Sequence, residues 1–176
     1  EVVERGRAFV VELELEDDPV AEDPDRMFEI LEQGILGAFH IRSLNIAAVN
    51  YRDGYVELVR SYASFASRRL EWRLELSHPD ILCDVARTGR TEVIDGWDPR
   101  YHERVAQPDG SVIYRRHDRT FNSGQTGFFI PVMARGRAVG VLCTGSTQDS
   151  KEIVLREIER MNPFLHQVGA TLSTLT

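Results

Sequence analysis

The side chains with most chemistry to offer crowd into one stretch. Between Trp97 and Ser123 the chain carries Tyr101, His102, Arg104, Tyr114, Arg115, Arg116, His117 and Arg119. Imidazoles can ligate a metal or a haem, but no cluster of Cys, Asp or Glu with ligand spacing accompanies His102 or His117. No metal is assigned, and both read as solvated loop histidines. Guanidinium forks match carboxylate and phosphate geometry, so Arg115, Arg116 and Arg119 offer either an anion site or a solvated basic face. Trp97, Tyr101 and Tyr114 either line a pocket or anchor the stretch on a core. The reading carried forward is that Trp97, Tyr101, His117 and Arg119 line a small-molecule site, with Phe129 of the following strand as an apolar wall. Cys83 and Cys143 lie in apolar surroundings, where cysteine behaves as a small hydrophobe, and no disulfide is expected. No Ser-His-Asp or paired-carboxylate arrangement stands out. No catalytic residue is therefore assigned, the domain itself is not expected to be an enzyme, and no cofactor is specified.

The elements that must hold these side chains follow from periodicity. Gly124 to Ser146 is the organising stretch. Its apolar runs, Phe128–Met133 and Ala138–Cys143, flank the short connector Ala134-Arg135-Gly136-Arg137, which predicts a hairpin. Neither run alternates, so both faces of this hairpin should be covered by helices. Pro131 donates no N–H, so its strand needs a gap in its ladder or a position near an edge. Ser43–Tyr51 and Tyr55–Phe65 predict a second hairpin around Asp53-Gly54, with a type I′ turn, and the first and last strands of the two hairpins should be neighbours near the sheet centre. Arg68–Ser77 reads as extended, with a short helix as the alternative. Glu22-Asp23-Pro24-Asp25 predicts the start of a helix that ends near His40. A second helix begins at His78-Pro79-Asp80 and is capped by Gly89. Thr91–Ile94 is a short strand. Trp97–Ser123 reads as a loop-rich insertion that folds over one face of the sheet. The last helix starts at Ser150, and Pro163 should kink it or divide it. Residues 1–18 form an N-terminal extension with an extra strand, because Val11, Leu13 and Leu15 alternate with Glu12, Glu14 and Glu16.

Composition bounds the class of protein. The 176 residues are 42% hydrophobic and 28% charged, as in one globular domain. A net charge of -7 argues against nucleic-acid binding. No apolar run approaches the length that spans a bilayer, so no membrane insertion is expected. A reducing cytoplasm is the default location. The chain starts at Glu1 without an initiator Met and reads as a piece of a longer protein or a processed one.

The phrase Val85-Ala86-Arg87-Thr88-Gly89-Arg90-Thr91-Glu92-Val93-Ile94-Asp95, followed later by Phe128-Phe129-Ile130-Pro131-Val132 and Val139-Gly140-Val141-Leu142, resembles the GAF family of sensory domains. The resemblance covers about Asp25 to Leu172, within a domain drawn as residues 19–176 with the irregular insertion at 97–123. It implies an α+β fold: a central antiparallel sheet of about six strands with helices on both faces, the N- and C-terminal helices packed together on one face. It also implies a cytoplasmic regulatory domain that binds a small molecule, or dimerises, to control an attached output module. A structural dimerisation module without ligand is the alternative, and a free methionine sulfoxide reductase a remote one. The cyclic-nucleotide signature of the family is missing, and neither cysteine matches a bilin attachment site. A homodimer is expected through Met27–Ala38 and Ile153–Leu172, with Ile158, Leu165 and Leu172 in its seam.

Overall fold

The computed structural model describes residues 23–63, 72–146 and 149–175. The strand expected in residues 1–18 lies outside the described residues. The order is α1 (Pro24–Ala38), β1 (Ser43–Asn50), β2 (Tyr55–Ala63), β3 (Arg73–Glu75), α2 (Ile81–Thr88), β4 (Glu92–Asp95), β5 (His102–Ala106), β6 (Val112–Arg116), β7 (Thr126–Ala134), β8 (Arg137–Gly145) and α3 (Lys151–Leu175). Six strands form one antiparallel sheet in the order β3-β2-β1-β8-β7-β4. Among the described residues β5 and β6 pair only with each other.

The centre of the sheet is the join of the two hairpins, where β1 pairs β8 with Ile46 opposite Leu142. In the β7–β8 turn Arg135 and Gly136 both take positive φ, the type I′ geometry that suits a two-residue hairpin. The β1–β2 turn differs from the expected type I′. Only Gly54 takes positive φ, and the loop is closed by Asn50, whose Oδ1 accepts from Asp53 N–H and whose carbonyl accepts from Gly54 N–H. Pro131 sits on β7 beyond the end of β4, which reaches only Phe129, so its missing N–H faces no partner strand.

Both faces of the central pair are covered. On one side Phe128, Ile130, Val132, Leu142 and Ile46 pack under α1 and α3. On the other, Phe129, Val141, Ala47 and Val56 pack under α2 and the segment that follows β4. α1 begins as expected, with Asp23 accepting from Asp25 N–H and Pro24 in the first turn. α2 is capped at its start by Asp80 and at its end by left-handed Gly89.

Three expectations are corrected. The 97–123 insertion is not irregular throughout, because the Pro108-Asp109-Gly110 turn closes the β5–β6 hairpin. Pro163 does not divide the last helix, which runs unbroken from Lys151 to Leu175 with Pro163 on its exposed side. Ile158, Leu165 and Leu172 are 7%, 4% and 2% exposed and belong to the core of the single chain. The sheet and α1 bury Val154, Ile158, Met161, Leu165, Val168 and Leu172 of α3, while Ile153, 39% exposed, stays outside the core. Glu152, Arg156, Glu159, Arg160, His166 and Gln167 face outwards, so Ile158, Leu165 and Leu172 supply no seam.

α3 comes close to the sheet at Gly169. A Cβ there would lie 2.2 Å from the Met133 carbonyl oxygen, which is backbone and cannot swing aside. Gly37 on α1 has nothing within 4 Å of the same position. Gly169→Ala should therefore destabilise the domain by about 1–3 kcal/mol through overpacking. Gly37→Ala should stabilise it by about 0.5–1 kcal/mol through helix propensity. Thermal melts of the two variants test the contact; equal shifts of the same sign would show that α3 does not sit against β7 at Gly169.

Candidate functional site

The layer over the α2 face of the sheet is tied together by charge. Arg100 meets Glu92 of β4 through two hydrogen bonds of 2.8 and 2.5 Å, Asp84 of α2 at 3.1 Å and Asp98 of its own loop at 2.9 Å. These carboxylates hold the guanidinium firmly protonated. Its backbone carbonyl accepts from Ile81 N–H, so one residue joins α2, β4 and the loop before β5.

Beside it lies a buried polar group. Asp80 is 3% exposed. Its Oδ1 accepts from Leu82 N–H at 2.8 Å, and its Oδ2 lies 3.2 Å from His102 Nδ1. His102 Nδ1 is also 2.9 Å from the Arg100 carbonyl oxygen. Both neighbours are acceptors, so this nitrogen carries the proton. The His102 side chain is 6% exposed, which corrects its reading as a solvated loop histidine. His78 stands edge-on to it, with ring centroids 4.8 Å apart, and the buried His78 Nδ1 has no hydrogen-bond partner among the described residues. Burial raises Asp80 to about 6, against the pull of the Leu82 amide and His102. Burial and His102 together lower His78. Sequence reading marked Asp80 only as a helix start, since its partner is 22 residues away and on another element.

The five residues expected to line a site are brought together. Trp97 Nε1–H donates to the His117 carbonyl at 3.0 Å, and the Arg119 guanidinium lies 5.3 Å from the Trp97 ring. The His117 ring stacks on Phe121 at 3.6 Å, Phe121 meets Tyr101 edge-on, and Tyr101 packs on Phe129 at 5.9 Å. His117 is thus half-buried and stacked, not a free loop histidine, and burial lowers its pKa. Tyr101 is 5% exposed, and burial raises its hydroxyl to about 12. The Asn122 amide stands close enough to oppose that rise, yet the hydroxyl makes no hydrogen bond of normal geometry. Arg115, weighed as an anion contact, is paired with Glu103 at 2.5 Å.

None of these five lines the open groove found on the same flank. That groove, of about 630 Å³, runs between β2 and the β5–β6 hairpin. Glu57 to Ser61 form one wall, Arg104, Val112 and Tyr114 the other, and Trp72 and Arg73 one end. The Trp72 and Tyr114 rings meet at 87° with centroids 6.2 Å apart, and Tyr114 Oη accepts from Arg73 N–H. The sequence signal for this groove is faint, because nothing local to Arg104 or Tyr114 shows that the two stand opposite each other across a hairpin.

Asp80 generates a pH test. Its folded value of about 6 lies above the ordinary carboxylate value of 3.8. Relative to an asparagine, the carboxyl therefore contributes most below about pH 4 and loses that contribution as pH rises through about 6. Asp80→Asn, which keeps the cap, should gain stability relative to the native chain by up to about 3 kcal/mol between pH 4 and pH 7. His78, lowered by burial, works in the opposite direction but is common to both proteins. Urea unfolding at the two pH values measures the difference; a flat or falling difference contradicts the assignment.

No protein-family profile matches the chain, and no curated protein does. Solved structures do. The GAF domain/HD domain protein from Geobacter sulfurreducens superposes with a TM-score of 0.64 at 12% identity, over 88% of this chain and 95% of that one. A methyl-accepting chemotaxis protein fragment gives 0.59 at 12% identity, over 89% and 93%. The GAF domain of a two-component sensor histidine kinase from Bacillus halodurans gives 0.51 at 11% identity, over 88% and 93%. With its six-stranded order and helices on both faces of the sheet, the chain has the GAF-domain fold.

Proposed function

We propose that this domain is a sensory or regulatory module that takes a small molecule into the groove between β2 and the β5–β6 hairpin. The observation that carries the reading is Arg60. It lines the groove, and it also holds α1, donating to the Asp25 carbonyl at 3.1 Å and facing Glu32 at 3.7 Å. An occupant that engages Arg60 competes with those contacts, so it binds two settings of α1 with different affinity. That difference is what a ligand needs to shift an equilibrium. The likeness to domains of a chemotaxis protein and a sensor kinase supports a regulatory reading. The cysteines support it over catalysis, because burial pushes both thiols up, to about 12 at Cys83, away from the reactive thiolate.

A melting-temperature screen against a metabolite panel tests the reading. Val112→Trp should fill the groove and erase every stabilising hit while keeping the melting point of the free domain within a few degrees. In the parent, a hit should shift the backbone amide signals of Asp25 to Glu32. Hits that survive Val112→Trp, or that leave α1 unmoved, would overturn it.

A further inference from the structure

We infer that the groove selects a small planar anion, an aromatic ring carrying a carboxylate or phosphate; this rests on the groove being the ligand site. The charges lining it are unequally committed. Arg60 is held by the carbonyls of Val59 and Asp25 and by Glu32. Arg73 is paired with Glu57 at 3.1 Å and lies 4.1 Å from the Tyr55 ring. Arg104 has no hydrogen bond or ion pair among the described residues. Glu57 is paired with Arg73 and Glu32 faces Arg60, so among the described residues the lining charges without an ion pair are Arg104 on the hairpin wall and the Asp25 carboxylate at the α1 end; positive charge is exposed locally, on the Arg104 wall.

Arg104 stands opposite Tyr114 in the β5–β6 register. Its guanidinium therefore projects from the strand position next to the Trp72–Tyr114 corner. An edge-to-face aromatic corner takes a third ring readily, because ring edges are positive and faces negative. A guanidinium beside it takes two oxygens of a carboxylate or phosphate in a fork. The volume, about 630 Å³, suits a ring with one or two substituents. The chain as a whole carries -7, so selection for an anion has to be local to such a group.

The two indole N–H signals, from Trp72 and Trp97, report the test without any substitution in the aromatic residues. Benzoate, phenyl phosphate, benzamide and acetate are titrated separately. Benzoate or phenyl phosphate should shift the Trp72 signal, leave Trp97 in place, and bind at least tenfold more tightly than benzamide. Acetate should leave Trp72 unmoved. Arg104→Ala, at an exposed position that does not threaten folding, should remove the tenfold preference without changing benzamide affinity. If benzamide matches benzoate at Trp72, or Arg104→Ala keeps the preference, the groove stands and the anion assignment falls. Acetate acting as well as benzoate overturns the ring. No movement of Trp72 with any of the four overturns the groove itself.

Discussion

Phe128 and Phe129 point to opposite faces of one strand, and both are buried. That arrangement constrains everything else. A β7–β8 pair apolar on both sides cannot rest against water on either, so the domain needs two covering layers. The layer under Phe128 is built from long regular helices with apolar stripes. The layer under Phe129 is short: the eight residues of α2, then a loop and a hairpin that must be stapled down. Apolar burial suffices for the first layer. The second adds Arg100 with its carboxylates and the Asp80–His102 pair, polar contacts that fix orientation more than they add stability.

The legibility of the sequence follows the same division. Phe128–Met133 and Ala138–Cys143 could be read because burial on both faces writes an unbroken apolar run. The caps of α1 and α2 could be read because Asp23-Pro24 and Gly89 act locally. β5 and β6 could not. His102–Ala106 and Val112–Arg116 have one side against other loops and one against water, so polar residues fall on both faces and the period-two signal fades. The turn between them was visible, but a turn without clear flanking strands does not declare a hairpin.

The α3 stripe shows a different limit. Ile158, Leu165 and Leu172 have the spacing of one helix face, and spacing says that the face is buried without saying by what. The sheet covers it, since Gly169 lets the helix come down onto β7 with Ile158, Leu165 and Leu172 beneath it. The site residues show both outcomes. Trp97, Tyr101, His117, Arg119 and Phe129 do gather, because aromatic and amphipathic side chains in one segment find each other. The void formed elsewhere, at a corner set by long-range pairing of β2, β3 and β6 that no local pattern encodes.

Pro163 gives α3 a mechanical character of its own. The base of the helix is held by charge: Lys151 reaches both oxygens of Asp95 at 2.9 Å, and Asp95 also accepts from Thr126. Its far half is held by shape, at Gly169 against Met133. Between these anchors Pro163 leaves the Glu159 carbonyl without its rung of the ladder. On either side of that rung Ile158, Met161, Leu165 and Val168 are packed into the core, so the helix runs on unbroken past the proline. Asp95 lies just before Trp97, so one carboxylate ties the start of the covering segment to the base of α3. Because the open rung lies on the exposed side of α3, water takes the place of the missing N–H, and the proline sits inside a long helix at little cost.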